Sequence, residues 1–237
     1  PQFAIKIRKK FLSKKLYCHL HNDYINPNSR NAISIIQSLD KIICVSDYIG
    51  RQVLSVSEKA NVVTLHNGVS IRKADKRKVE LIRNKYKTSQ NKNLVIFTGR
   101  LIPDKGAHVL LEAYSKMRNK DKCSILFLGS QLYGKNVEDE YLKKLREMSR
   151  MYGEHIHFTG YVPYEEISNY YTAADVGVMP SLWEDPCPLT VIECLRYGVP
   201  VITTDSGGIP EIVDESCSVI LNRDNMLSHK IADCLDK

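Results

Sequence analysis

No apolar stretch in this 237-residue chain approaches the roughly 18 residues that span a membrane. No C-x-x-C occurs either. The seven cysteines, Cys18, Cys44, Cys123, Cys187, Cys194, Cys217 and Cys234, are odd in number and scattered. That excludes a disulfide framework and a zinc site. Most lie inside apolar segments, as small core residues do, and a reducing cytosol suits them. With 12 glycines and 9 prolines the chain is neither collagen-like nor of low complexity. No secretory leader is expected in the first residues, which have no continuous apolar core and no small-residue cleavage site. Tryptophan occurs once, at Trp183, and no acidic residue precedes Asp23.

What the sequence does hold is enough apolar material for a sizeable core. The hydrophobic set makes up 43% of the residues and charged residues 26%. The formal charge is +7, and its location matters more than its size. Lys6, Arg8, Lys9, Lys10, Lys14 and Lys15 crowd the first fifteen residues, interleaved with Phe3, Ile5, Ile7, Phe11 and Leu12. Two readings of residues 1–15 stand: a basic amphipathic helix on an anionic membrane surface, or a helix whose basic face is simply solvated. The rest of the chain is nearly neutral, so no nucleic-acid partner is expected.

Short apolar runs alternate with helical patterns along the chain. The runs are Leu16–Leu20, Ile42–Val45, Val62–Leu65, Leu94–Thr98, Ile125–Leu128, Ile156–Thr159, Val176–Met179, Val199–Thr203 and Val219–Leu221. Their lack of polar alternation predicts strands buried on both faces of parallel sheets. Between them, Val109, Leu110, Ala113 and Met117 share one helical face, and Tyr141, Leu145, Met148 and Tyr152 share another. The fold class is therefore α/β, doubly wound. Asn67-Gly68 marks a turn, and a domain boundary is placed there, giving 1–68 and 69–237. The first part holds only about three strands, which leaves exposed edges. The chain also opens at Pro1, so a larger protein, truncated or split, is expected.

In open α/β sheets, ligands bind beyond the carboxyl ends of the strands. Four loops there carry unusual residues. Gly99-Arg100 through Asp104-Lys105-Gly106 places two cations where Asp104 is expected to cap the next helix, an arrangement suited to phosphate or to two plain surface cations. The loop from Asp185 to Glu193 holds two carboxylates. Either they meet hydroxyls or positive charge, or Glu193 closes a capping box with Thr190. Trp183 beside them reads first as a packing residue. Gly207-Gly208 either offers backbone amides to an anion or makes an ordinary strand-to-helix turn. His19 and His21 lie on one side of a strand end, as a polar terminus or a metal pair that lacks a third ligand.

In this order the pieces resemble the family-four retaining glycosyltransferases of the GT-B fold. The resemblance rests on Leu20-His21-Asn22-Asp23, Cys44-Val45-Ser46, His66-Asn67-Gly68-Val69, Gly99-Arg100 and Lys105-Gly106. It continues through Leu128-Gly129-Ser130, Phe158 to Val162, Asp185 to Glu193, Gly198 to Ile202 and Gly207 to Glu211. It implies a complete C-terminal Rossmann-like domain, a partial N-terminal one, and a nucleotide-diphosphate sugar donor. On this resemblance Arg100 and Lys105 match the diphosphate-binding pair and Gly99 lies beside them. Glu193 matches the ribose-binding glutamate of an E-x7-E motif whose first place is held by Asp185. Cys187, Pro188, Leu189 and Thr190 match the loop whose amides meet sugar and phosphate, and Gly207 and Gly208 match a second donor-side loop. Gly129, Tyr161 and Val162 match the wall of the base pocket. His21 matches a histidine facing the donor sugar. His21, Asp185, Arg100 and Lys105 are thus the catalytic candidates.

Two departures bear on the sugar. Asp185 is one methylene shorter than glutamate, and Pro188 has no amide to donate. The resemblance further implies retention at the anomeric carbon and a glycan or lipid-linked acceptor. No D-x-D occurs in the chain, so no metal or other cofactor is expected. The expected location is cytoplasmic, peripheral at the inner face of a membrane. The alternative is a nucleotide-sugar-binding module without turnover of its own.

Overall fold

The computed structural model describes residues 2–86, 92–130 and 140–237. It divides into two compact units. The first comprises Pro1–Gly68 with two later segments, Glu184–Pro188 and Gly207–Ile212. The second comprises Val69–Trp183, Leu189–Ser206 and Val213–Lys237.

In the first unit three parallel strands, β1 (Tyr17–Leu20), β2 (Lys41–Cys44) and β3 (Val62–Thr64), lie in that order. Leu20 pairs with Cys44, and Cys44 with Thr64. Helices α1 (Phe3–Lys10), α2 (Ala32–Gln37) and α3 (Asp47–Val56) accompany them. Leu20, Ile25, Ile35, Ile42, Val45, Ile49 and Val53 are all buried.

Helix α3 starts where it does because its orphan N–H groups find acceptors. Ser46 is extended, and its Oγ accepts from the Ile49 amide at 3.3 Å. The Glu211 carboxylate accepts from the Asp47 amide at 2.6 Å and the Tyr48 amide at 2.7 Å. A carboxylate there also suits the positive end of the helix dipole.

The start of the chain is anchored by Asp40. It accepts from the Leu16 amide at 2.7 Å and pairs with Arg8 at 2.5 Å. These partners, the amide first, hold the Asp40 carboxyl down at about 2. Arg8 also donates to the Ser38 carbonyl at 2.9 Å, so it is a structural cation and not part of a free basic face.

The second unit is built on six parallel strands: β4 (Asn93–Thr98), β5 (Cys123–Leu128), β6 (Ile156–Gly160), β7 (Val176–Met179), β8 (Val201–Thr204) and β9 (Ser218–Leu221). Their order is β6-β5-β4-β7-β8-β9. The chain winds outward from β4 to β6, then returns to lay β7 on the other side of β4. The order reverses between β4 and β7, where a doubly wound sheet opens a crevice. Helices α4 (Lys76–Tyr86), α5 (Ala107–Lys116), α6 (Glu140–Ser149), α7 (Ile167–Ala173), α8 (Leu189–Arg196) and α9 (Leu227–Leu235) complete the unit.

Burial on both faces holds for the centre of this sheet: all of β5, and β4 from Leu94 onward, are buried. It does not hold for β1, β3, β6 or β9, which pair on one side only among the described residues. The face of Val109, Leu110, Ala113 and Met117 packs into the core, as its spacing predicts. The second predicted helix ends early. α6 stops at Ser149, and Tyr152 falls in a 3-10 segment with Gly153 at φ 51°, although its ring still meets Tyr114 edge-on at 5.0 Å. Strand β8 begins at Val201, not Val199, because Pro200 has no N–H for the ladder.

Candidate functional site

Three strand-end loops of the second unit are tied to one another by their backbones. The Gly99 amide donates to the Leu128 carbonyl at 3.1 Å, the Leu101 amide to Ser130 at 3.3 Å, and the Gly129 amide to Gly160 at 3.0 Å. Gly99 and Gly129 both have φ 137°. A Cβ on Gly129 would lie 1.9 Å from the Gly99 carbonyl oxygen, so only glycine lets these loops meet.

The space they enclose is a cavity of about 290 Å³ at the carboxyl ends of β4, β5 and β6 and the start of α8. Eight of the candidate donor residues line it: Gly99, Arg100, Gly129, Tyr161, Val162, Leu189, Thr190 and Glu193. Lys105 is in the same unit but is not among the lining residues. His21, Asp185, Cys187, Pro188, Gly207 and Gly208 belong to the first unit.

Two side chains give the cavity its chemistry. The Arg100 guanidinium is half-buried and makes no hydrogen bond or ion pair among the described residues. A cation left unpaired beside a concave surface suits an anionic ligand. Glu193 is 7% exposed. Its Oε2 accepts from the Tyr171 hydroxyl at 2.7 Å, and that hydroxyl also lies 2.9 Å from Thr98 Oγ1. Oε1 has no partner among the described residues and is left for the cavity. Burial raises the Glu193 carboxyl above its ordinary range, and the Tyr171 bond opposes that rise. Burial also pushes the Tyr171 phenol well up, so it remains a donor.

The capping box does not form. Thr190 lies inside α8, and Glu193 turns to Tyr171 instead of the Thr190 amide. Asp104 does not cap α5 either. It sits in a 3-10 turn, Pro103–Lys105, and the cap position is Gly106, at φ 73°.

In the first unit the amides of Gly207 and Gly208 are not open. Gly207 donates to Glu184 Oε2 at 2.6 Å, and Gly208 to the Asp185 carbonyl at 2.9 Å. The nearby glutamate, Glu211, is spent on α3. The loops fit closely, since a Cβ on Gly207 would meet the Asp185 carbonyl oxygen at 2.3 Å. The Cys187 carbonyl accepts from Asn67 at 3.2 Å, and burial raises the Cys187 thiol. The rings of His19 and His21 lie 4.2 Å apart. Burial first, and His21 second, lower the His19 imidazole. Among the described residues no three His, Cys, Asp or Glu side chains are placed to share a metal ion.

Sequence reading missed Tyr171 and Thr98, which orient Glu193, and Tyr164 and Ile167, which line the cavity. No local signal marks Tyr171: it occupies an apolar position of a short helix.

A model of the family described as Glycosyl transferases group 1 matches residues 78–237. The chain belongs to the group 1 glycosyl transferases. Similar proteins include spore coat protein SA of Bacillus subtilis (strain 168), 29% identical over 91% of this chain and 60% of that protein. The putative glycosyltransferase YtcC of the same organism is 27% identical over 87% of this chain and 54% of its own length. A lipopolysaccharide 1,2-N-acetylglucosaminetransferase of Salmonella typhimurium is 24% identical over 88% of this chain and 53% of the enzyme. The chain thus spans somewhat over half the length of these relatives.

Among solved structures, Anabaena Alr3699/HepE in complex with UDP superposes with a TM-score of 0.82 at 21% identity, covering 99% of this chain and 67% of that one. WaaG, a glycosyltransferase of lipopolysaccharide biosynthesis, gives 0.70 at 14%, covering 98% of this chain and 71% of that one. The fold of this group 1 member is α/β of the GT-B type.

Proposed function

We propose that this chain holds the donor side of a glycosyltransferase that moves a sugar from a nucleotide-diphosphate donor to a glycan or lipid-linked acceptor, with retention of anomeric configuration. The observation that carries the reading is the pairing, on one cavity, of the unpaired Arg100 guanidinium with the open oxygen of Glu193. A guanidinium and a carboxylate acceptor suit the diphosphate and the ribose hydroxyls of one ligand. Arg100 and Lys105 would stabilise charge on the departing diphosphate, the largest electrostatic demand of the step. The resemblance assigns His21 and Asp185 to the sugar. The same two cations take the part that a divalent ion plays in other transferases, so the reaction proceeds without metal, and EDTA leaves its rate unchanged.

The test is a thermal-shift screen of UDP, GDP and ADP and their sugars. A nucleotide at 100 times its Kd adds about 2.7 kcal/mol, or roughly 5–10 °C in Tm for a chain of this size. Arg100→Ala is expected to weaken the selected nucleotide by about ten- to a hundredfold, the worth of a charged hydrogen bond. No stabilisation by any nucleotide, or undiminished affinity in that variant, overturns the reading. Binding without transfer is favoured by the three-stranded sheet of the first unit and the partial span of the relatives. Measurable transfer by this chain eliminates it.

A peripheral position on the cytoplasmic face of an anionic membrane is supported by α1 and the residues after it. Phe3 is 74% exposed and Leu12 79%, among the exposed Lys6, Lys9, Lys10 and Lys14. Among the described residues no helix is long and apolar enough to cross a membrane. Co-sedimentation with phosphatidylserine vesicles is expected to fall about fivefold for each of Lys9→Gln and Lys10→Gln, since a lysine near such a surface is worth about 1 kcal/mol. Equal binding to neutral phosphatidylcholine vesicles sinks this part.

A further inference from the structure

We propose that Trp183 is a positioning residue for Lys105: its indole face holds the Lys105 ammonium in place for a diphosphate. This rests on the donor reading above. The only tryptophan of the chain lies on the loop after β7. The Lys105 Nζ stands 5.3 Å from the centre of its ring, within cation–π range.

Two rigid pieces of backbone fix this contact. The Leu182 amide donates to the Asp104 carbonyl at 2.8 Å, joining the Trp183 loop to the Lys105 turn. A Cβ on Gly106 would stand 2.0 Å from the Pro180 carbonyl oxygen, so the two backbones touch. The Trp183 carbonyl accepts from the hydroxyls of Ser181 and Ser206, and the Leu182 carbonyl from Arg223 at 3.4 Å. The ring itself is held differently. Its Nε1 is buried and finds no acceptor among the described residues. A buried indole normally uses that N–H. Here the interaction on display is through the ring face.

An aromatic face can position a phosphate-binding lysine. It restrains the long side chain, lowering the ordering cost of binding, and leaves the positive charge intact.

Because the chain has one tryptophan, its fluorescence reports this contact directly. Lys105→Met is expected to change the emission of the free protein, and UDP to change it in the parent chain but not in that variant. Trp183→Leu is expected to weaken UDP about two- to fivefold, the worth of a half-exposed cation–π contact. Trp183→Phe, which keeps a ring, recovers most of that loss. The double variant Lys105→Met/Trp183→Leu binds UDP no more weakly than Lys105→Met alone. Additive losses, no recovery by Phe, or emission unchanged by Lys105→Met overturns the proposal. Arg100→Ala runs beside these as the control for the donor reading. If none of UDP, GDP and ADP binds any of the proteins, that reading fails, and the emission of Lys105→Met against the parent still decides whether Trp183 holds Lys105.

Discussion

At Glu193 two effects pull the carboxyl in opposite directions: burial raises it, and the Tyr171 hydroxyl lowers it. Burial wins, so the folded protein holds this proton more tightly than the unfolded chain. Its contribution to folding is therefore fully present at low pH, below the ordinary value of 4.5, and is lost as pH rises through the raised folded value. Above that value the ionised side chain costs stability. Glu193→Gln, which still accepts from Tyr171, is expected to raise Tm at neutral pH while weakening nucleotide binding about tenfold or more. Thermal melts and calorimetry on the same protein check both halves, and a fall in Tm contradicts the burial argument. None of this wiring was legible beforehand. Thr190-x-x-Glu193 looks locally like a capping box, and the partner that wins, Tyr171, lies 22 residues away. The Lys105–Trp183 contact was hidden for the same reason, since a side-chain pair across two loops leaves no period or spacing in the chain.

Elements were far more legible than contacts. Each of the nine apolar runs became a strand because a continuous run of apolar residues admits few other fates in an α/β chain. What the pattern lacked was knowledge of neighbours, which is why β1, β3, β6 and β9 were read as buried and pair on one side only among the described residues. The basic start was half legible. Its lysines are exposed, but Arg8 is drawn inward by Asp40, a residue no local rule connects to it. The depressed Asp40 carboxyl stabilises this anchor above its ordinary value of 3.8, and the contribution is lost as pH falls from there through about 2. Asp40→Asn is expected to speed amide exchange at Leu16 and along α1 at neutral pH. The gap in Tm between parent and variant should close as the solution is acidified to about pH 2. A gap that persists there places the effect outside the Asp40 charge.

Across the whole molecule, the alternation of strands and helices was enough to name the class, and the ordered motifs enough to suggest the family. The strand order was not available, because pairing between parallel strands is set by crossovers and packing that apolar runs do not encode. That order has a consequence for the history of each molecule. β4 and β5 are made early, yet the other side of β4 is completed only when β7 arrives after β6 and α7. A chain growing from the ribosome therefore carries an unpaired, largely apolar strand through much of its synthesis. Chains ending at Asp175, once released from the ribosome, are expected to be captured by a chaperone and those ending at Thr204 to escape it. Equal capture at both lengths would mean that β4 hides its edge before its partner exists.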